Sequence, residues 1–240
     1  MVRRGCLIAI EGGSASGKTT LVKVAARTLG WRPLPEAFDR LDPAPSLEFD
    51  SPEELLLLEG TLLAEEARRY REARQLRDRG VTVVADTGFL GPLTYTLGLV
   101  ELGQARVSVG RSLFRSARAM VRRGALGLPD LTVYLATTAV ERRQRAHVSA
   151  RQHPPALFRR HEAVGAVERR FFEKTFPSAL PARFRVLRAR GPPTALARQL
   201  VTLVEHNRVR PASRDDSLAI LTGLRLPAQR RRRPNLRPNR

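Results

Sequence analysis

Gly12-Gly13-Ser14-Ala15-Ser16-Gly17-Lys18-Thr19 fits the pattern G-x-x-x-x-G-K-[ST]. The apolar run Cys6-Leu7-Ile8-Ala9-Ile10 precedes it and reads as a buried strand, and a helical pattern from Thr20 to Leu29 follows it. Strand, glycine-rich loop and helix in that order are the context in which the pattern cradles phosphate. The loop's N–H groups converge on phosphate oxygens, and the helix N-terminus adds a favourable dipole. Lys18 can then reach the β- and γ-phosphates, and the Thr19 hydroxyl can ligate Mg²⁺. Residues Gly12, Gly13, Ser14, Ala15, Ser16, Gly17, Lys18, Thr19 and Thr20 form the expected nucleotide cradle.

Outward from the loop, four more apolar runs read as strands: about 32–35, 81–85, 131–135 and 184–188. Helical patterns separate them, which predicts an α/β fold with a five-stranded, mostly parallel sheet and helices on both faces. Pro33 and Pro35 make the second strand the weakest. The clearest helix begins at Ser51-Pro52-Glu53-Glu54, with an N-cap, a proline at the first helical position and a capping glutamate. It runs to Arg79, and Gly80 is its expected stop. Further helices are expected near 92–102, 109–123, from 139, 158–174 and 194–206.

The chain has 240 residues and 42% hydrophobic content, enough for one sizeable core. No apolar stretch is long enough to span a membrane. Arg3 and Arg4 before a short apolar run have the look of a secretion signal, but the run stops at Glu11. The single cysteine, Cys6, lies in the first strand and suggests a reducing, cytoplasmic setting rather than catalysis. Net charge is +20, almost all from arginine, with lysine only at 18, 23 and 174. Residues 208–240 hold ten arginines and two aspartates, hence +8 of that total. The expected organisation is a folded domain over 1–207 and a basic, disordered tail over 208–240, including Arg230-Arg231-Arg232-Arg233. The tail offers non-specific contact with nucleic acid.

Asp86 ends the third strand, on the same rim as the phosphate loop, and is positioned to hold Mg²⁺. A plain turn aspartate before Gly88 is the alternative. Glu36 follows the second strand and can accept a proton from an attacking hydroxyl or orient it; Asp39, Arg40 and Asp42 compete for that role. Arg142, Arg143 and Arg145 open a basic stretch after the fourth strand, and on a helix Arg142 and Arg145 share a face. Such a lid would set guanidinium groups over a migrating phosphoryl group and exclude water, with Gln152-His153-Pro154-Pro155 as its tip. Arg190-Gly191-Pro192-Pro193 is either a loop against a base or a plain turn. His147, His153 and His161 lack metal-ligand spacing, so no zinc site is expected.

Together these residues resemble the thymidylate kinase and deoxynucleoside kinase branch of P-loop kinases. The resemblance rests on Glu11-Gly12 before Ser16-Gly17-Lys18-Thr19-Thr20, the leucine-rich Glu54-Leu55-Leu56-Leu57-Leu58, Pro129-Asp130-Leu131-Thr132-Val133-Tyr134-Leu135, Glu141-Arg142 with Arg145, and His161-Glu162 through Phe172 to Phe184-Arg185-Val186. It covers roughly residues 5–206. It implies strand order 2-3-1-4-5, ATP with Mg²⁺, a nucleoside or nucleotide acceptor and a homodimer. It also implies catalytic roles for Lys18, Glu36, Asp86, Arg142 and Arg145. Three positions depart from the pattern: Thr87 stands where an arginine usually follows the strand-three acid, Leu62 where an acceptor-binding arginine sits, and Ala136 in place of an acid. The donor half is therefore intact and the acceptor half altered. A nucleic-acid-associated NTPase and a nucleotide-binding regulator without turnover are the rival readings, and a faint likeness to nicotinamide riboside kinase-like proteins keeps other nucleosides open.

Overall fold

The computed structural model describes residues 5–149, 155–206 and 210–227. Five strands, β1 (Leu7–Glu11), β2 (Arg32–Leu34), β3 (Val83–Asp86), β4 (Leu131–Ala136) and β5 (Phe184–Arg188), form one parallel sheet in the order β2-β3-β1-β4-β5. This is the order the resemblance implies. The alternation within β1 explains the two covered faces. Ile8 and Ile10 pack with Leu21, Val22 and Ala25 of α1 (Lys18–Leu29) and Leu196, Ala197 and Leu200 of α8 (Pro193–His206). Leu7 and Ala9 face the other way, toward Ala73 of α2 (Pro52–Asp78). A strand buried on both faces reads as a continuous apolar run, as Leu7–Ile10 does.

The second face carries α2, α3 (Leu90–Glu101), α4 (Val107–Arg122) and α6 (Pro155–Arg170), which share a core with Tyr134 of β4. Ser51 caps α2 as expected, its hydroxyl accepting from the Glu54 N–H at 3.1 Å. Gly80 follows α2 at φ +86°, a backbone only glycine adopts without strain, and its N–H donates to the Arg77 carbonyl at 2.9 Å. Gly98 lets α3 approach α6 closely, since a Cβ there would stand 2.7 Å from Val164 Cγ1. The chain leaves α6 through a π-type turn, Phe171–Thr175, into the short α7 (Phe176–Ala179). Phe171, Phe172, Phe176 and Phe184 stack there as one aromatic cluster.

The expected loss of order after 207 is corrected for residues 210–227. Residues Arg214–Gly223 form α9, begun by a reciprocal capping box between Ser213 and Asp216. Ile220, Leu221 and Leu224 are buried in the main core. Ser217 Oγ accepts from the Leu128 N–H at 3.0 Å, and Arg183 Nε donates to Asp216 Oδ2 at 2.8 Å. Asp130 ties this segment to the sheet: one oxygen accepts from the Leu7 N–H, the other from Arg77 and the Ala212 N–H. The arginine-rich composition concealed a short Ser-x-x-Asp cap followed by buried apolar residues. Arg230-Arg231-Arg232-Arg233 and the tip 152–154 lie outside the described residues.

Candidate active site

The loop between β1 and α1 has the geometry its glycines dictate. Gly12 sits at φ +148°, and a Cβ there would meet the Leu135 carbonyl at 2.9 Å. Gly17 caps α1 at φ +100°. The loop closes through a bond from the Ser16 N–H to the Gly13 carbonyl at 3.2 Å. Lys18, the first residue of α1, folds back over the loop, its Nζ donating to the Gly12 carbonyl at 2.8 Å. Thr19 and Thr20 follow it, exposed at the helix start. The first N–H groups of α1 have no helical partner and face the cradle.

Of the three arginines named from sequence for a lid, all lie on α5 (Ala139–Ser149), and Arg142 and Arg145 lean on this loop. Arg142 is buried, donates to the Thr137 carbonyl at 3.1 Å, and packs against Gly13. Burial, with Arg169 nearby, lowers its pKa. Arg145 donates to the Ser16 and Ala189 carbonyls. Arg143 turns outward instead, to Glu162 at 2.8 Å. Thr138 and Glu141 cap the start of α5 reciprocally. Arg190–Pro193 forms the turn into α8, with Gly191 at φ +85°.

The register places Asp86 beside Ile10, at the rim where the phosphate loop begins. Asp86 is buried, and its Oδ1 has no hydrogen-bond partner among the described residues. A buried carboxylate oxygen without a donor is costly unless a cation or ligand satisfies it, so Asp86 suits Mg²⁺. Ser16 Oγ is also buried, without a hydrogen-bond partner among the described residues. Glu36 is half-buried in the field of Lys18, Asp86, Arg69 and Asp39. Burial pushes its carboxyl above the ordinary range, and Lys18 draws it back.

Four charged residues of this site received no site role from the sequence. Glu11 ends β1, is buried, and accepts the Gly88 N–H at 3.1 Å. Burial raises its pKa to about 8 against the pull of Lys18. Arg69 is buried on α2; its guanidinium meets Glu66 and donates to the Asp86 and Thr87 carbonyls at 2.8 and 3.1 Å. Burial raises Glu66 to about 7, with Arg69 opposing. Glu168, on α6, is within electrostatic reach of Lys18, Glu36 and Arg142, and burial raises it as well. A signal was present for two of these. Leu55, Glu59, Leu63, Glu66, Arg69 and Ala73 recur every three or four residues on one buried stripe of α2. Charged residues inside an apolar stripe mark a site.

Thr87 adopts φ +60°, rare for a β-branched residue, and its N–H donates to the Ile10 carbonyl at 3.1 Å. This strained corner turns the chain from β3 into α3. Although Thr87 stands where relatives of the motif carry arginine, a guanidinium still meets this strand end, supplied by Arg69 from α2.

The architecture has clear counterparts. The fold is shared with nucleoside and nucleotide kinases of the P-loop type. Deoxyadenosine kinase from M. mycoides, solved with bound dATP, superposes with a TM-score of 0.67 at 15% identity, over 82% of this chain and 98% of that one. Thymidylate kinase from Candida albicans gives a TM-score of 0.61 at 18% identity, over 85% and 93%. No known sequence family and no curated protein matches the chain. At these identities the likeness establishes the fold alone. No helix among the described residues is long and apolar enough to cross a membrane.

Proposed function

We propose that the protein is an ATP-dependent kinase that transfers the γ-phosphoryl group to a nucleoside, a nucleoside monophosphate or a similar small molecule. The carrying observation is the meeting of Lys18 and its phosphate loop with Asp86 and Glu36 on one rim of the sheet. Lys18 and the N-terminus of α1 would hold the donor phosphates. Mg²⁺ would supply charge neutralisation between them, held by Asp86 and the Thr19 hydroxyl. Arg142 and Arg145 already lie against the loop; released from the backbone carbonyls they hold, they would spread positive charge over the migrating group. Glu36 would orient the acceptor hydroxyl and take its proton. Arg69 and Glu11 would act as positioning residues, fixing the ends of β3 and β1.

The test is purified protein with Mg²⁺-ATP and a panel of nucleosides, deoxynucleosides and their monophosphates, reading ADP and phosphorylated acceptor. Acceptor-dependent product that vanishes in Lys18→Ala supports the proposal. ATP binding without product from any acceptor favours the regulator reading.

A homodimer is part of the same proposal. An apolar groove of about 570 Å³, away from the phosphate loop, runs along α2 between Leu41, Leu56, Leu57, Gly60 and Ala64. Leu57 is 72% exposed there. Glu53 and Arg68 line its two ends, equidistant from Gly60 and Thr61. Antiparallel pairing of α2 with its copy about that midpoint would place Glu53 against the other Arg68 and Leu57 over the other Ala64. Leu57→Glu should then yield monomers in sedimentation; an unchanged mass refutes this surface.

A further inference from the structure

Helix α4 carries a row of arginines that the fold leaves unanswered. Between Glu101 and Asp130 the chain has six arginines and no carboxylate. Arg111, Arg115, Arg118 and Arg122 recur every three or four residues on α4. At about 100° per residue they fall within an arc of about 60°, along about 16 Å of helix. The apolar side of α4, with Leu113, Phe114, Ala117 and Val121, is buried in the main core. Arg111, Arg115 and Arg122 are exposed, and so is Arg123 beside them. Elsewhere the chain pairs its arginines: on α2, Arg68 meets Glu65, Arg69 meets Glu66 and Arg77 meets Asp130. Among the described residues no ion pair reaches an arginine of α4. Like charges three or four residues apart on a helix repel, so the row weakens the helix that bears it. Arg118 has a structural use, since its Nη2 donates to the Leu221 carbonyl at 3.2 Å in the last turn of α9. The acids of α9, Asp215 and Asp216, stand in its first turn, at the other end. Arg225 extends the row. It is exposed, and a Cβ at Gly110 would stand 2.6 Å from Cδ2 of the adjacent Leu226. Residues 228–240, which follow beside α4, add six more arginines and no acid.

We infer that this face of α4 binds the phosphate backbone of nucleic acid, without regard to base sequence. A duplex presents one phosphate charge per about 1.7 Å of its axis, so a rigid row of about 16 Å faces several at once. Guanidinium forks match phosphate oxygens, and the neighbouring Ser108 and Ser116 hydroxyls, both exposed, are further donors of the kind that hold a backbone. A lipid surface fits less well, because α4 spends its apolar side on the core and offers none for insertion. A second copy of the helix would set like charges against each other. The contact lies on the folded domain and is distinct from one made by the tail alone. Residues 228–240 start beside it and would strengthen the same contact by raising the effective concentration of charge. None of these residues takes part in the proposed phosphoryl transfer, so the surface stands or falls independently of the kinase reading.

The test is fluorescence anisotropy of a labelled duplex DNA of arbitrary sequence, titrated with the full chain at salt concentrations from about 50 to about 200 mM. The logarithm of the binding constant should fall linearly with the logarithm of salt, by about 0.9 per phosphate neutralised. Combining Arg111→Gln, Arg115→Gln and Arg122→Gln should make that slope shallower by about 3 and weaken binding at about 100 mM salt by at least about tenfold. The same variant should melt no lower than the wild type, because repulsion along the helix is relieved. Lys23→Gln, Arg27→Gln and Arg198→Gln together remove equal charge from exposed positions of α1 and α8, across the sheet. They should change affinity by less than about threefold. Equal losses in the two triple variants mean that net charge alone acts, and overturn the assignment to α4. A loss confined to replacement of Arg230–Arg233 with glutamine overturns it too, as does an absence of wild-type binding at about 50 mM salt. A duplex RNA of the same length shows which nucleic acid is preferred, and sensitivity of either to the α4 variant supports the inference. Tighter binding to phosphatidylserine vesicles than to either nucleic acid overturns the choice of partner.

Discussion

Glu59 provides a measurement in which one side chain controls how stability depends on pH. It lies on the buried stripe of α2, is 2% exposed, and its Oε2 has no hydrogen-bond partner among the described residues. Burial alone raises its pKa from 4.5 to about 8, with no charged neighbour contributing. The folded protein therefore keeps this carboxyl protonated at pH values where the unfolded chain has released the proton. Stability from this source is fully present below the unfolded pKa and falls as pH rises, by about 1.4 kcal/mol per pH unit. It levels off above the folded pKa, near 8. The whole interval corresponds to about 5 kcal/mol as a ceiling, since any water reaching the carboxylate relieves part of it. Glu59→Gln replaces the protonated acid with a neutral side chain of the same size. Urea denaturation of both proteins at steps from about pH 5 to about pH 9 gives the difference curve. Glu11 and Glu66 also titrate in this range, but they are present in both proteins and cancel. The variant should gain on the wild type steadily up to about pH 8, then hold constant. A pH-independent difference refutes the reasoning, because it means that Glu59 titrates alike in the folded and unfolded chains.

Arg69→Leu should destabilise by about 3–5 kcal/mol, because it leaves Glu66 buried without its cation; adding Glu66→Gln should recover much of the loss in thermal denaturation. Arg145→Ala should lower turnover far more than ATP affinity, a split read from kcat against equilibrium ATP binding, and equal losses in both would count against a transition-state role. Truncation after Asn207 should leave no stable domain. It removes Ile220, Leu221 and Leu224 from the core at about 1.5–3 kcal/mol each, which together approaches the whole stability of an ordinary domain at about 5–15 kcal/mol. Circular dichroism of the truncated chain checks this, and a cooperative melt near that of the full chain would refute it.

What the sequence made legible follows from how local each signal is. The phosphate loop, the five strands and the cap of α2 at Ser51 are written in adjacent residues, and each is found within a residue or two of its expected place. Asp86 is equally local, as the last residue of an apolar run. Arg69 is not. Its meaning depends on α2 crossing the ends of β2 and β3, so that one guanidinium reaches carbonyls at 34, 86 and 87. Glu168 reaches Lys18 only because α6 packs against α3 over the sheet, far from the loop in sequence. Segment 210–227 was misread for the opposite reason: a strong compositional signal outweighed a weak positional one. Ser213, Asp216 and Ile220-Leu221 were legible as a capped amphipathic turn, but arginine content dominated the reading.

The formal charge of +20 also changes meaning once it is placed on the fold. Taken as a sum, it points to polyanions in general and keeps nucleic acid in view. At the sheet edge the arginines of α5 lean on the phosphate loop, while Glu36 and Asp86 stand at the ends of β2 and β3 with Lys18 and Arg69 close by. In the proposed reaction a phosphoryl group would start beside the loop and its arginines and end on an oxygen that must lose a proton. Glu36 would be suited to taking that proton, and Lys18 with the arginines of α5 to holding the charge left on ADP. Thr87, which reads as a loss when compared with the family pattern, is offset by Arg69, whose guanidinium reaches the same strand end from α2 and holds the Asp86 and Thr87 carbonyls.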